Sequence, residues 1–348
     1  MRKADAFRSG VYAGGGIVLG GAGLLGVLVA EGLLADRAVH AVQLDHAPNP
    51  SGWYGARHPG RPVQLALLGD SSAAGYGMER VEDTPGAILA TGVSEKAGRP
   101  VRLHDLSVVG ARSADLHPQV EQAIAAEADV AVILVGANDV INRVRPSVSV
   151  SHLVEAVRRL QDNGVRALVG TCPDLGTVKP VLPPLRQVVR AWSRRIAAGQ
   201  TFHVVRAGGH TVSLADILGD EFKAEPAFFF GADKFHPSAA GYAALAEVLL
   251  PPTLAVLGVI GDEEAVLETY RGRRIIPIAA AALHAVNRPG TELDPAPRPR
   301  GRLRRLWVSV RHFRSQEHGE VEAPSGAPAT ASEDRTGAEP PPSETGSS

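Results

Sequence analysis

Val63-Gln64-Leu65-Ala66-Leu67-Leu68 runs directly into Gly69-Asp70-Ser71-Ser72. A short apolar run that ends in glycine and small polar residues reads as a buried strand breaking into a turn. The same pattern returns at Val130-Ala131-Val132-Ile133-Leu134-Val135, followed by Gly136-Ala137-Asn138-Asp139. Three more runs, Val101 to Leu106, Val165 to Gly170 and Phe202 to Val205, complete a set of five. Helix-like segments lie between and after them, at about 84–97, 114–127, 149–163, 183–199 and 238–250. Strands that alternate with helices build βαβ units and a parallel sheet. Near-continuous Val/Leu/Ile runs suit strands covered on both faces. The expectation is an α/β domain over residues 62–258, in three layers, α/β/α, around a central, mostly parallel five-stranded sheet.

In open sheets of this kind, sites form at the carboxyl ends of the strands. The residues there carry chemistry. Gly69-Asp70-Ser71 follows the first strand, and Ser107 to Ser113, with Gly110 inside, follows the second. Gly136-Ala137-Asn138-Asp139 follows the third, and Asp233-Lys234-Phe235-His236-Pro237 precedes the last helix. Taken singly, Ser71 reads equally well as a helix N-cap, Gly110 as a turn glycine and Asn138-Asp139 as a turn. Together, four blocks in this order resemble the SGNH hydrolases, also called the GDSL esterase/lipase family, and in detail the exported actinobacterial members. The resemblance covers residues 62–250 and implies a flavodoxin-like sheet.

It also implies roles. A serine hydroxyl needs a base to become a nucleophile. The resemblance makes Ser71 the nucleophile, His236 the base and then the acid, and Asp233 the carboxylate that orients the imidazole. The oxyanion hole falls to the backbone N–H groups of Ser71 and Gly110 and the side-chain amide of Asn138. Asp70 and Asp139 are expected to be structural. No metal and no organic cofactor are needed. The expected substrate is a small-molecule or lipid carboxylic ester, hydrolysed through an acyl-enzyme. An acyltransferase passing the acyl group to a sugar or lipid hydroxyl uses the same triad and stays open. A non-catalytic surface-binding module fits the complete residue set less well.

Composition sets outer limits. Lys and Arg total 36 against 37 Asp and Glu, a net charge of -1 that offers no general footprint for nucleic acid. The single cysteine, Cys172, rules out an intrachain disulfide and reads as a small buried residue.

The chain ends differ from the middle. Residues Gly10 to Ala30 hold no charge for 21 positions and include eight glycines. As a helix that run spans about 30 Å, the thickness of a bilayer core. Arg2, Lys3 and Arg8 precede it and place the N-terminus on the cytoplasmic side. Gly21-Ala22-Gly23-Leu24-Leu25-Gly26 fits a dinucleotide fingerprint, but its uniformly apolar flanks do not. The run is long for a signal peptide and lacks a clear cleavage site. Residues 1–35 therefore read as a membrane anchor with the catalytic domain extracytoplasmic, cleavage and secretion being the alternative. Residues 36–61, rich in Pro and Gly, read as a linker. Residues 259–315 read as a helical extension. Within it, 302–314 sets Leu303, Leu306, Trp307, Val310 and Phe313 opposite five arginines. That helix suits either an anionic membrane or the domain surface. Residues 316–348 have too little apolar content to order. Nothing in the sequence fixes the oligomeric state.

Overall fold

The computed structural model describes residues 47–261 continuously, with positions 28, 30–34, 37, 269–270 and 273–274. A six-stranded sheet organises them, in the order β1-β3-β2-β4-β5-β6. The strands are β1 (Gly52–Tyr54), β2 (Val63–Gly69), β3 (Val101–Asp105), β4 (Val130–Leu134), β5 (Arg166–Gly170) and β6 (His210–Val212). From β3 to β6 all neighbours are parallel; only β1 runs antiparallel, along β3. The order reverses at β2, which has β3 on one side and β4 on the other. That reversal opens a crevice beyond the carboxyl end of β2.

The apolar runs become strands because both faces are covered. Val130 to Leu134 are each at most 2% exposed. On one face Ala66, Leu68, Ile133 and Val169 pack with Leu116, Val120, Leu153 and Leu160. Those helical residues come from the turn before α3 (His117–Ala125), from α3 itself and from α5 (Pro146–Asp162). The other face is covered by α2 (Pro85–Ala97) and α10 (Ala239–Val256), which pack against each other. Gly92 of α2 permits that approach, since a Cβ there would lie 2.8 Å from Leu250.

Three expectations need correction. The sheet has six strands rather than five, and the sixth, β1, lies in the expected linker. Gly52-Trp53-Tyr54 among prolines and glycines reads as loop, yet three residues suffice to pair with the free edge of β3. Arg102 then stands over the Trp53 ring at 5.5 Å, and the Tyr54 hydroxyl donates to the Pro50 carbonyl. Phe202 to Val205 is not a strand. It is part of the last turns of the 22-residue α6 (Leu185–Arg206), where Val204 continues a buried stripe with Ile196, Ala197, Gln200 and Thr201. The strand is His210–Val212, too short and polar to show as an apolar run. Finally, α10 passes through Pro251-Pro252 to Val256, instead of stopping at 250. The Thr253 hydroxyl donates to the Leu249 carbonyl, and Thr253, Leu254 and Val256 are buried, which holds the last turn. The short helices α7 (Leu214–Ile217), α8 (Gly219–Ala224) and α9 (Pro226–Phe229) add a lobe that the sequence reading left blank.

Among the described residues one helix is long and apolar enough to cross a membrane. It is α10, packed in the core. The uncharged run 10–30, apart from positions 28 and 30, the basic helix expected at 302–314 and the tail 316–348 lie outside the described residues. Beyond residue 261 the described positions are an antiparallel pair, Thr269–Tyr270 with Arg273–Arg274. Before residue 37 the described positions are helical, and the Glu31 carboxylate accepts from the Leu185 N–H at 2.9 Å, at the start of α6.

Candidate active site

The turn after β2 needs a glycine. Gly69 has φ +134°, and a Cβ on it would lie 1.9 Å from the Leu134 carbonyl oxygen of β4. Gln119, buried on α3, brackets that residue. Its oxygen accepts from the Gly69 N–H at 2.7 Å and its amide donates to the Gly69 carbonyl at 3.1 Å. The chain then enters α1 (Ser71–Ala74), capped by Asp70, whose carboxylate accepts from the Ser72 N–H at 2.8 Å.

Ser71 opens that helix with its Oγ 2.9 Å from His236 Nε2. His236 Nδ1 is 2.6 Å from Asp233 Oδ2. The other oxygen of Asp233 accepts from the N–H groups of Phe235 and His236, both at 3.0 Å. The loop is closed at its base by the Gly231 N–H donating to the His236 carbonyl at 2.8 Å. Phe235 and Tyr76 meet the imidazole edge-to-face at 4.9 and 4.8 Å. The Tyr242 hydroxyl, buried on α10, donates to the Tyr76 carbonyl at 3.0 Å and fixes that wall.

Charge in this cluster follows burial and hydrogen bonding. Asp70 is 2% exposed, and burial pushes its carboxyl up to about 6, against the pull of the Ser72 hydrogen bonds and of His236. Burial pushes Asp233 up as well, but hydrogen bonds from the His236 ring and the Phe235 N–H outweigh it. They hold that carboxyl below the ordinary range.

The block after β4 uses the same device. Gly136 has φ +133°, and a Cβ would meet Cys172 at 2.9 Å. Gln200, buried on α6, accepts from the Cys172 N–H and donates to the Val135 carbonyl. On α4 (Ala137–Ile141), the Asn138 amide donates to the Ala111 carbonyl at 3.1 Å. An amide nitrogen carries two hydrogens, so one bond leaves a second donor. Asp139, 1% exposed, accepts from the Ser113 N–H and hydroxyl, both at 3.0 Å. These bonds hold the loop bearing Gly110 against α4. Gly110 is exposed, with φ +85°.

A cavity of about 100 Å³ lies at the carboxyl ends of the strands, with Ser71, His236 and Asn138 on its wall. Leu134, Val178, Leu214, Leu218, Phe222 and Phe230 make the rest largely apolar. Gly110 is not among its lining residues. At the rim, Asp174 accepts from Arg190 and Arg194 at 3.2 and 3.3 Å. The structure thus brings together Ser71, Asp233 and His236 in one hydrogen-bonded chain, with Asn138 on the same cavity and Gly110 one residue from Asn138's partner. The sequence reading missed Gln119, Gln200 and the apolar wall from 214–230. A polar residue on the buried face of a helix is the signal that marks both glutamines. Cys172 is fully buried, and burial pushes its thiol well up, so it is no thiolate nucleophile. Among the described residues no group of three or more His, Cys, Asp or Glu is placed to hold a metal ion.

The model of the GDSL-like Lipase/Acylhydrolase family matches residues 67–244, about half of the chain. A GDSL-like esterase of Mycobacterium tuberculosis is 38% identical over 242 residues, spanning 64% of this chain and 76% of that protein. The solved structure of TesA is 21% identical, covering 56% of this chain and 99% of its own, with a TM-score of 0.47. A lipase/acylhydrolase from Enterococcus faecalis is 20% identical, covering 56% and 96%, with a TM-score of 0.46. By the family match and the mycobacterial relative, the chain belongs to the GDSL-like lipase/acylhydrolase family and is a carboxylic ester hydrolase.

Proposed function

We propose that the chain is a serine esterase that works through an acyl-enzyme. His236 takes the proton of Ser71 as its Oγ attacks the ester carbonyl, then delivers it to the leaving alcohol. Asp233 holds the imidazole tautomer and stabilises the imidazolium. The Ser71 and Gly110 N–H groups and the free Asn138 amide hydrogen stabilise the oxyanion. Water attacks the acyl-enzyme in the second half, with His236 again as base. The observation that carries this reading is the continuous chain from Asp233 Oδ2 through His236 to Ser71 Oγ, at 2.6 and 2.9 Å. The test is Ser71→Ala on a water-soluble p-nitrophenyl ester. The expected loss is on the order of 10⁴–10⁶ in kcat. Retention of more than a few per cent of wild-type activity would remove the mechanism.

The same proposal places the enzyme on a membrane. Residues 10–30 span the bilayer, Arg2, Lys3 and Arg8 stay on the cytoplasmic side, and the domain is extracytoplasmic. The support is a 21-residue uncharged run behind a basic start.

A further inference from the structure

Exposed apolar side chains scattered singly need no explanation, but their concentration at one end of a domain does. Among the described residues nine large apolar side chains are exposed. Val108 and Val109 stand beside Gly110, in the loop that leaves β3. Ile141 ends α4, the helix that carries Asn138, and Val148 is in the first turn of α5. Leu182 precedes α6 and Val188 lies in its first turn. All these segments leave the carboxyl ends of β3, β4 and β5, the end that carries Ser71 and His236. Leu33 and Leu34 follow Glu31, whose carboxylate accepts from the Leu185 N–H of that same first turn of α6. The ninth is Trp53, on the edge strand under Arg102. Arg143, Arg145 and Lys179 are exposed in the same connections and add positive charge to this end.

The path of the chain says what covers it. The uncharged run ends at Ala30, and the next residue is hydrogen-bonded to the start of α6 at 2.9 Å. The residue that follows the run thus touches the domain directly, although residues 36–61 still lie between them in sequence. A carboxylate is stabilised at a helix N-terminus, so this contact is a favourable one. On the anchor reading of residues 10–30, this contact sets the carboxyl end of the sheet beside the bilayer surface.

We infer that the mouth of the active site lies against the outer face of the membrane, with the apolar rim inserted among lipids and the cations at anionic headgroups. This rests on the anchor reading of residues 10–30 given above. Its consequence is a substrate class: amphiphilic esters whose acyl chain enters the apolar cavity from the leaflet, ahead of freely dissolved esters.

The test uses the full chain in phosphatidylcholine vesicles containing phosphatidylglycerol. Cys172 is fully buried, so single labelling sites can be added. Leu182→Cys and Val188→Cys test the mouth; Asn163→Cys, at the far end of α5, is the control. Each carries an environment-sensitive fluorophore. The expected result is a blue shift at 182 and 188, with strong quenching by spin-labelled lipid, and neither at 163. Vesicle-bound protein with all three labels in water overturns the inference and leaves the anchor standing. Protein that does not float with vesicles overturns both. A blue shift that needs no lipid and grows with protein concentration means that a second copy covers the patch, and also overturns it. A second measurement pairs a soluble acetate ester with a long-chain ester embedded in vesicles. The Leu182→Asp, Val188→Asp double variant should leave the first unchanged and slow the second on the order of tenfold. An equal loss on both esters, or no loss on either, refutes the inference. Wild-type protein inert on both esters refutes the esterase reading instead, and the label depths still decide the orientation.

Discussion

Asp70→Asn should make the protein more stable at neutral pH, by an amount that depends on pH in a defined way. Asp70 sits directly before Ser71, 2% exposed, and its carboxylate accepts from the Ser72 N–H at 2.8 Å. Burial raises its carboxyl from 3.8 to about 6. In the unfolded chain it titrates near 3.8. Between these values the native state holds a proton that the unfolded state has released. Stability therefore falls as pH rises through that window. The contribution of the protonated group is complete below pH 3.8 and gone above about pH 6. At 1.36 kcal/mol per pKa unit, the shift corresponds to about 3 kcal/mol. Asparagine cannot ionise, and its carbonyl can still accept from the Ser72 N–H. The two proteins should be nearly equal at pH 4, and the variant should lead by about 3 kcal/mol at pH 7. Urea unfolding of both in the same mild detergent, at pH 4, 5, 6, 7 and 8, reads the difference through the midpoint and slope. A difference constant across this range, or one that grows toward acid, refutes the reasoning, because Asp70 would then titrate alike in both states or be stabilised as an anion.

Other outcomes follow from the same contacts. Asn138→Ala should lower kcat by about 10²–10³ with little change in KM, because it removes a donor that matters most when the oxyanion forms; steady-state kinetics on one soluble ester check it. Gly69→Ala should fail to fold or lose many degrees of Tm, since its Cβ would lie 1.9 Å from a backbone oxygen at φ +134°; circular dichroism melting decides, and a wild-type Tm would contradict the packing account. Cell fractionation with N-terminal sequencing should find an intact chain in the membrane; a soluble species starting near residue 36–45 means a cleaved signal peptide.

How much of this was legible depends on the physics of each element. β2 and β4 are buried on both faces, so their runs are continuous and the residues after them stand out. Gly69-Asp70-Ser71 and Gly136 to Asp139 follow such strands immediately, and the structure sets them side by side through the β2–β4 register. Asp233 and His236 stand out through the resemblance of Asp233 to Pro237 to the family's block, and one loop carries both, with the ring 2.6 Å from the carboxylate. β1 and β6 were not readable. Each has three residues at an edge or end of the sheet, and neighbouring strands rather than their own apolar pattern hold them. Phe202 to Val205 misled because β-branched and aromatic residues also serve a helix when one of them, Val204, continues a buried stripe. The lobe at 214–230 consists of helices of four to six residues, too short for a 3.6-residue period to register. Gln119 and Gln200 are identifiable only once the backbone groups they bracket are placed, because their partners lie 50 and 28 residues away.

The central claim is that Ser71 is the nucleophile, and covalent labelling tests it most directly. The full chain is treated with a fluorophosphonate, digested, and the adduct located by mass spectrometry while residual ester turnover is followed. The account predicts one adduct per chain, on the peptide bearing Ser71, appearing at the rate at which turnover is lost, and no adduct in Ser71→Ala. Turnover that vanishes with the adduct on another residue, or that persists with Ser71 fully labelled, would contradict it.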